Sequence, residues 1–257
     1  MFKVASWNVN SLRVRLPVVL DWLATHQPDA LALQETKLTD EDFPVESIRE
    51  AGYEVCYSGQ KTYNGVAILA RSAMQDVVKG FPDYHDPQKR VLAVRLGDYR
   101  LINVYIPNGS AVGSDKYAYK LEWLTRLIEF IKAEQTRYGQ LILMGDFNIA
   151  PEDRDVHDPI AWQDGILCST AEREAFSRLL DTGMVDAFRL FDQPEQTYSW
   201  WDYRMQAFRR KMGLRIDIIL ISKDMAKTCN QCYIDIEPRR QERPSDHAPV
   251  ILELDTL

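Results

Sequence analysis

Runs of apolar and β-branched residues recur along the whole chain and are separated by short polar segments. Their length and composition predict β-strands over 2–9, 30–35, 65–71, 91–96, 100–106, 140–145, 215–222, 232–237 and 249–254. The short connections between 65–71, 91–96 and 100–106 indicate antiparallel neighbours, since parallel strands need long crossovers.

Helical patterns are fewer than an alternating strand and helix fold requires. The clearest covers 116–133, where one apolar stripe recurs at spacings of three and four residues and consists of Tyr117, Leu121, Leu124, Ile128 and Ile131. Shorter helices are predicted over 16–25, 44–51 and 172–182. An α/β fold with two sheets packed face to face and helices on their outer faces follows from this pattern.

The length of 257 residues fits one large domain over 1–257, with no internal repeat or linker to divide it. Hydrophobic residues make up 46% of the chain, yet no apolar run approaches the roughly 20 residues of a membrane span, so we expect no membrane association. The first residues do not resemble a signal peptide and the cysteines form no disulfide framework, which predicts a location in a reducing cytoplasm. The lone pair Cys229 and Cys232 lacks the second ligand pair of a structural zinc site.

The net charge of −7 excludes a protein that coats nucleic acid without selectivity, because such binding needs many contacts from Lys and Arg to phosphate. A local basic patch remains compatible with this charge. One candidate segment contains Arg204, Arg209, Arg210, Lys211 and Arg215, and a second contains Arg239, Arg240 and Arg243. Solvated arginines on a loop are the simpler explanation of either cluster by itself.

Polar residues stand at the ends of the predicted strands in a repeated pattern. Asn8, Glu35, Tyr105, Asp146 and Asn148 close strands, whereas Asp217, Asp246 and His247 stand at or just before the start of strands. If the last strands run opposite to the others, all these residues reach the same edge of the sandwich. Asp146 and Asn148 would face that edge together, because residues two apart in an extended segment point to one side.

Carboxylates with carboxamide oxygens and only one histidine form a hard-oxygen environment, which favours Mg²⁺ or Mn²⁺ over zinc or copper. A cation there would relieve the repulsion between the carboxylates and polarise a bound phosphate. Each residue also has a plainer interpretation, since a single Asp after a strand often serves as a turn or cap residue. It is the repetition of the pattern that favours a site.

The chain resembles the exonuclease III family of apurinic/apyrimidinic (AP) endonucleases, within the endonuclease/exonuclease/phosphatase superfamily. The matching segments occur in family order along the whole chain: SWNVNSLRVRL (6–16), LALQETK (31–37), GQKTYNGVAIL (59–69), NVYIPNG (103–109), LMGDFNIAP (143–151), YSWWDYR (198–204), GLRIDIILIS (213–222) and ERPSDHAPV (242–250). The set is specific, although each segment alone is weak. The resemblance implies a four-layer αββα sandwich with two mixed, mainly antiparallel sheets.

The resemblance also assigns roles. It implies that Asn8, Glu35 and Asp246 bind metal, with Asp146, Asn148 and His247 close enough to contribute. It further implies that Asp146 activates the attacking water and that Asn148 holds water and phosphoryl oxygens. His247, oriented by Asp217, would donate to the scissile phosphate. Tyr105 would touch the same phosphate as a phenol or a phenolate.

The resemblance places DNA contacts around an apolar pocket for a base-free sugar. Trp200 and Leu214 are the candidates for its walls, with Asn108 and Arg215 as neighbouring DNA contacts, while core packing remains an alternative for Trp200. Such a pocket would select an extrahelical abasic nucleotide, because a missing base lowers the cost of unstacking. Departures from the family occur at DAFRL (186–190), at Lys211 and in the loop 153–170, where Leu167 or its neighbours could change the room for the nucleotide.

We therefore expect a monomeric, metal-dependent phosphodiester hydrolase whose partner is double-stranded DNA with abasic sites or damaged 3′ ends. It would cut on the 5′ side of an abasic site and also trim or unblock 3′ ends. Two alternatives stay open. The same chemistry would serve a phosphatase acting on inositol phosphates or lipid head groups, and a DNA-binding module that has lost hydrolysis would keep only the binding surface.

Overall fold

The strands form two sheets of six strands each in the computed structural model, which describes residues 1–255. In spatial order the first sheet consists of β11 (Cys229–Ile234), β12 (Val250–Leu254), β1 (Phe2–Asn8), β2 (Ala30–Gln34), β4 (Val66–Ala70) and β3 (Glu54–Ser58). The second consists of β5 (Gln75–Lys79), β6 (Val91–Leu96), β7 (Tyr99–Tyr105), β8 (Leu141–Asp146), β10 (Asp217–Ser222) and β9 (Met184–Asp186). The pairs β1–β2 and β7–β8 are parallel and the other pairs are antiparallel. The prediction of two mixed, mainly antiparallel sheets is confirmed.

Helices cover the outer faces of both sheets. They are α1 (Leu12–His26), α2 (Val45–Glu50), α3 (Asp115–Gln135) and α5 (Thr170–Leu180), while the short helix α4 (Pro159–Trp162) lies in the loop after β8 and has no buried residue. Helix α5 begins with a reciprocal capping box between Ser169 and Glu172, and Ser114 caps α3 by accepting from the Tyr117 N–H. Within residues 1–255, no helix is both long enough and apolar enough to cross a lipid bilayer.

Three apolar clusters separate the four layers. Residues such as Val4, Ile142 and Ile219 fill the space between the sheets. Trp22 of α1 packs against the outer face of the first sheet, and Trp123 of α3 packs against that of the second. The sequence therefore forms the predicted αββα sandwich, and its core lies on both faces of each sheet.

The buried face of α3 differs from the predicted stripe. Leu121 and Ile128 are only partly buried, whereas Trp123, Leu127 and Phe130 are buried against the second sheet. The buried face is rotated around the helix axis relative to the predicted stripe, because the large aromatic side chains occupy it. The predicted stripe rested mainly on aliphatic residues at regular spacing, so it did not show this rotation.

Three strands were not predicted, and all three lie at sheet edges. They are β3, β5 and β9, and β5 in particular exposes most of its residues. Edge strands are commonly short and polar, because a long apolar edge would pair with other chains. Hydrophobic pattern alone therefore identifies central strands better than edge strands.

The expected pairing of neighbouring strands holds for β6 and β7 but is wrong for β4. Strand β4 belongs to the first sheet, where it pairs with β2 and β3, while β6 and β7 belong to the second. The segment between β4 and β6 passes from the first sheet to the second. It includes β5, which belongs to the second sheet. The 20 residues between Ala70 and Val91 are therefore not a short connection, and they contain both a strand and the change of sheet.

The late strands run opposite to their neighbours, as the sequence pattern required. Strand β12 is antiparallel to β1, and β10 is antiparallel to β8, with Asp217 directly opposite Asp146. The starts of β10 and β12 therefore lie beside the ends of β8 and β1. This arrangement brings the polar residues at the strand ends to one edge of the sandwich.

Close approach of two backbones fixes the position of Asp146 relative to its neighbour strand. A Cβ atom on Gly145 would lie 1.8 Å from the Val104 carbonyl oxygen of the adjacent strand β7. We expect Gly145→Ala to lower the free energy of unfolding by about 3 kcal/mol, because the central pair β7–β8 must separate. Urea unfolding measures this loss. Gly139→Ala is the matched control, since no atom lies within 4 Å of its added Cβ; equal midpoints for the two variants would contradict the steric argument.

Candidate active site

Polar side chains from both sheets meet at one end of the sandwich. Ligand atoms of Glu35, Asp146 and His247 all lie within 4.8 Å of one another. Glu35 follows β2 of the first sheet, Asp146 ends β8 of the second, and His247 precedes β12. The group is therefore assembled across the interface between the sheets.

The side chain of Asn8 joins the two carboxylates. Its Nδ2 donates to Glu35 Oε1 and to Asp146 Oδ2, each at 2.9 Å, whereas its Oδ1 accepts from the Asn10 N–H at 3.0 Å. In this arrangement Asn8 presents its nitrogen to the carboxylates. It acts here as a hydrogen-bond donor between two negatively charged carboxylates, and its oxygen does not face them.

His247 lies between two carboxylates. Its Nδ1 is 2.8 Å from Asp217 Oδ2, and its Nε2 is 3.7 Å from Asp146 Oδ2. Burial lowers the pKa of His247, but Asp217 and Asp146 outweigh that effect and raise the pKa to about 10. At neutral pH this shift favours the imidazolium, with Nδ1–H donated to Asp217 and Nε2–H on the side of Asp146.

The two carboxylates of the group differ in environment. Burial raises the pKa of Asp146 to about 7, with His247 opposing the shift and Asp217 adding to it. For Glu35, burial is outweighed by Lys37 and Asn8, and the pKa lies below its ordinary value. Lys37 Nζ is 2.9 Å from Glu35 Oε2. Glu35 is therefore held as a carboxylate, while Asp146 is able to take up and release a proton near neutrality.

Tyr105 donates its hydroxyl to Glu35 Oε1 at 2.9 Å. Burial raises the pKa of Tyr105 well above its ordinary value, and the nearby carboxylates of Glu35 and Asp146 raise it further. These shifts favour the neutral phenol over the phenolate alternative. The Arg90 guanidinium lies 4.5 Å from the Tyr105 ring centroid and donates to the Tyr105 carbonyl, so it holds the ring in place.

Asn148 is held by contacts on every side. It adopts a left-handed conformation with φ 49°, and its backbone N–H donates to Asp146 Oδ1 at 2.9 Å. Its Nδ2 donates to the Ile106 carbonyl, and its Oδ1 accepts from Asn108 Nδ2 at 3.1 Å. An amide nitrogen carries two hydrogens, so Asn148 retains one N–H for a ligand. Asn108, predicted from the sequence as a DNA contact, lies beside it.

Asp246 is adjacent to the group without being one of its three members. Its Oδ1 accepts from Asn10 Nδ2 and its Oδ2 accepts from Trp200 Nε1, both at 2.9 Å. Asn10 also accepts from Lys37 Nζ at 2.5 Å. Asp246 is thus linked to Glu35 through Asn10 and Lys37, and Trp200 stands beside the site with its indole N–H committed to Asp246.

The predicted pocket residues Leu214 and Arg215 do not reach a surface. Leu214 is 0% exposed and packs in a small cluster with Val156, Leu167 and Ile216. Arg215 is 1% exposed and forms ion pairs with Asp155 and Asp186. The assignment of Arg215 as a DNA contact, and its inclusion in the basic patch, are therefore wrong.

The ion pairs of Arg215 also fix the loop that follows β8. Asp155 is fully buried and bonds Arg189 as well as Arg215, and the His157 N–H donates to the Gly213 carbonyl. The loop 153–170, whose sequence departs from the family, therefore has its backbone tied at Asp155 and His157 to the segment 213–215 beside the site.

Sequence reasoning also missed a buried ion pair beneath Asn148. Lys120 of α3 is 0% exposed; its Nζ contacts the carboxylate of Glu172 and donates to the Asn148 carbonyl at 2.6 Å. A signal existed in the sequence, because Lys120 lies on the apolar face of the helix, three residues after Tyr117 and four before Leu124. A lone charge on such a face indicates a buried partner.

Two stacked sheets with an acidic, histidine-containing group at their shared end agree with a metal-dependent phosphodiester hydrolase, the class that the family match and the relatives indicate. Residues 5–247 match the Endonuclease/Exonuclease/phosphatase family. The chain belongs to this family. The sequence resemblance to it is thereby confirmed over nearly the whole chain.

Individual relatives match along their full length. Exodeoxyribonuclease III of Haemophilus influenzae is 36% identical over 98% of this chain and 99% of its own. The 3′ phosphatase NExo from Neisseria, solved bound to a product DNA hairpin, is 49% identical with a TM-score of 0.98 and covers 100% of both chains. An AP endonuclease from Archaeoglobus fulgidus is 38% identical with a TM-score of 0.95, again over 100% of both chains.

Because Asp217 raises the pKa of His247, removal of its negative charge should lower that pKa by a measurable amount. In Asp217→Asn the shape is kept but the negative charge is lost, so we expect the pKa of His247 to fall by at least about one unit, equivalent to roughly 1.4 kcal/mol. Histidine C–H resonances followed by NMR against pH measure the shift, with His247→Gln as the assignment variant. Asp224→Asn, at an exposed and distant acid, should leave the His247 titration unchanged. An unaltered pKa in Asp217→Asn would show that the ring does not depend on this carboxylate.

Proposed function

We propose that this chain is a Mg²⁺-dependent DNA-repair hydrolase, with Mn²⁺ as a possible substitute. It cleaves the DNA phosphodiester on the 5′ side of abasic sites and removes nucleotides or blocking groups from 3′ ends. The observation that carries the proposal is the group of Glu35, Asp146 and His247, with ligand atoms within 4.8 Å of one another. The relatives named as exodeoxyribonuclease III, 3′ phosphatase and AP endonuclease support DNA as the substrate.

The donor set fits a hard divalent cation. Glu35 and Asp146 supply carboxylate oxygens. Burial is the main cause of the raised pKa of Asp146, Asp217 and Glu35 add to it, and a cation would favour the charged carboxylate. In this proposal Asp246, Asn8 and Asn148 contribute further oxygens, and Asn8 must turn its amide to do so. When bound, the cation supplies Lewis acidity at the scissile phosphate.

Asp146 is the proposed base for the attacking water. Its carboxylate accepts a proton from water, the water oxygen forms a bond to phosphorus, and the bond from phosphorus to O3′ breaks. O3′ leaves with the electron pair of that bond and takes up a proton from solvent. A base must be deprotonated at the working pH, and the charge of His247, which lowers the pKa of Asp146, favours the carboxylate together with the proposed cation. The product retains a 3′-hydroxyl.

His247 is the proposed donor to the phosphate. Its Nδ1–H is committed to Asp217 at 2.8 Å, which leaves Nε2–H free to bond a non-bridging phosphoryl oxygen. A donor fixed in advance stabilises the charge that develops in the transition state without reorganisation. Tyr105 as a phenol and the remaining N–H of Asn148 serve as further donors to the same phosphate group.

Trp200 and Asn108 are the proposed DNA contacts nearest the site. Trp200 is partly exposed and its ring packs on the edge of the cluster that contains Leu214. Leu214 supports this wall from beneath, because its own side chain is fully buried. An abasic sugar fits an apolar wall of this kind better than a complete nucleotide does.

The remaining expectations also enter as proposals. One domain spans residues 1–257 and acts as a monomer, since duplex DNA can be engaged from one face. The protein works in the bacterial cytosol or nucleoid, where its DNA substrate lies. Its preference among abasic sites and 3′ lesions is decided by the assay below.

The direct test compares labelled substrates side by side. End-labelled duplexes carry an internal abasic site, a blunt 3′ end or a 3′-phosphate, and a soluble inositol phosphate serves as the competing substrate class. We expect Mg²⁺-dependent cleavage of one or more of the duplexes, no cleavage in excess chelator, and recovery when Mg²⁺ is restored. Turnover confined to the inositol phosphate would favour the phosphatase alternative. Full activity in chelator would contradict the metal assignment.

Asp146→Asn tests the role of the proposed base. The variant keeps the size and shape of the side chain but cannot hold the negative charge, so we expect kcat to fall by about 10³ or more while duplex binding persists. Single-turnover cleavage and fluorescence anisotropy with an abasic duplex measure the two quantities. Asp153→Asn, at an exposed acid outside the group, is the matched control. Undiminished cleavage by Asp146→Asn would remove Asp146 from the mechanism.

A further inference from the structure

A second groove lies on the other side of the segment that carries Trp200. It encloses about 510 Å³, and its floor consists of the partly exposed side chains of Phe208, Tyr233, Ile234 and Ile236. We call it the aromatic groove. Large apolar side chains gathered at a surface in this way are typical of a binding surface rather than of scattered exposure.

The aromatic groove is separate from the candidate active site. Trp200 bonds Asp246 with its indole N–H, whereas the next residue, Trp201, packs edge-on against Phe208 with ring centroids 5.0 Å apart. Consecutive side chains of an extended segment point to opposite sides. One tryptophan therefore serves the site and its neighbour serves the groove.

Cations surround the groove although the whole chain carries a net charge of −7. Arg209, Lys211 and Arg240 line it, together with a single acid, Glu195. Arg240 pairs with Glu237 at 2.6 Å, but among the described residues neither Arg209 nor Lys211 forms an ion pair. The rim thus keeps two exposed positive charges without partners.

A further guanidinium lies against the groove floor. Arg239 is 8% exposed, 4.9 Å from the Phe208 ring centroid and 5.4 Å from that of Tyr203. Its Nε is buried without a hydrogen-bond partner in the part of the chain that the structure describes, and no carboxylate there pairs with it. Asp246 acts on Arg239 electrostatically without pairing with it, so this guanidinium adds to the positive charge that Arg209 and Lys211 place at the groove.

We propose that the aromatic groove docks a short acidic peptide segment of a partner protein, with apolar side chains that anchor it to the floor. Carboxylates of the segment meet Arg209 and Lys211, while an aromatic or branched aliphatic side chain covers Phe208, Ile234 and Ile236. Duplex DNA would satisfy the rim through its phosphates, but its bases are stacked inside the helix and it has no projecting apolar side chain to fill the floor. The combination of floor and rim therefore favours a peptide, and this inference does not depend on the proposed enzymatic activity.

Fluorescence anisotropy with labelled peptides tests the proposal on the full chain. The probe is a short fluorescein-labelled peptide that alternates Asp with Phe and Leu. One control peptide replaces Asp by Lys, and another replaces Phe and Leu by Ser. We expect saturable binding of the probe and affinities at least about tenfold weaker, about 1.4 kcal/mol, for both control peptides.

Protein variants locate the binding. Arg209→Glu combined with Lys211→Glu should weaken probe binding by about tenfold or more, and the conservative pair Arg209→Lys with Lys211→Arg should restore most of it. Arg178→Glu combined with Lys223→Glu makes the same charge change at exposed positions outside the groove and should alter binding by less than about twofold. Thermal unfolding of each variant verifies that it is folded.

Three outcomes would overturn the proposal. The first is the absence of saturable probe binding to the unaltered protein. The second is an equal loss of binding in the two charge-reversal variants, which would indicate a general charge effect. The third is displacement of the bound peptide by a short blunt DNA duplex, which would make the groove part of the DNA-binding surface. A bound peptide that resists displacement by DNA supports a separate docking site.

Discussion

The burial of several carboxylates in one place is the constraint on which this structure depends. Glu35 and Asp146 come from different sheets and accept from the same Asn8 carboxamide, and Asp217 approaches the same region beneath His247. Like charges at this distance are unfavourable unless donors or cations separate them. The imidazolium of His247, the amide of Asn8 and the ammonium of Lys37 provide this separation, and a divalent cation completes it in the proposed enzyme.

The two sheets must keep their relative position for this cluster to survive. Beneath it, Gln34 Nε2 of the first sheet donates to Asn103 Oδ1 of the second at 2.8 Å, and Asn103 donates back to the Leu33 and Ala67 carbonyls. A hydrogen-bonded polar network in an apolar core favours one register, since a shift would break bonds that these buried groups cannot replace. The strand ends above it are shaped by left-handed residues, among them Glu35 and Asn148.

Buried ion pairs extend this rigidity to the loops around the site. Lys120 and Glu172 support the backbone of Asn148, while Asp155, Asp186 and Arg215 tie the loop after β8 to the segment that leads into β10. Such pairs add little net stability compared with apolar residues of similar size, but breaking one leaves an isolated charge. Their value in this fold is positional, because they hold the residues that would receive a phosphate at fixed distances. The chain segment that contains both tryptophans presents Trp200 to the site and Trp201 to the aromatic groove.

Local pattern in the sequence determined the central strands, the main helices and the repeated placement of polar residues at strand ends. Those features depend on residues close together in the chain, where alternation and spacing act directly. The edge strands β3, β5 and β9 had no such pattern, and the sheet to which β4 belongs depended on which distant strand it joined. Arg215 illustrates the same limit: in sequence it is one more cation in a basic run, and only its approach to Asp155 and Asp186 makes it a buried structural residue. Tertiary structure decided such cases because the energy of a charge depends on what surrounds it, and its surroundings come from remote parts of the chain.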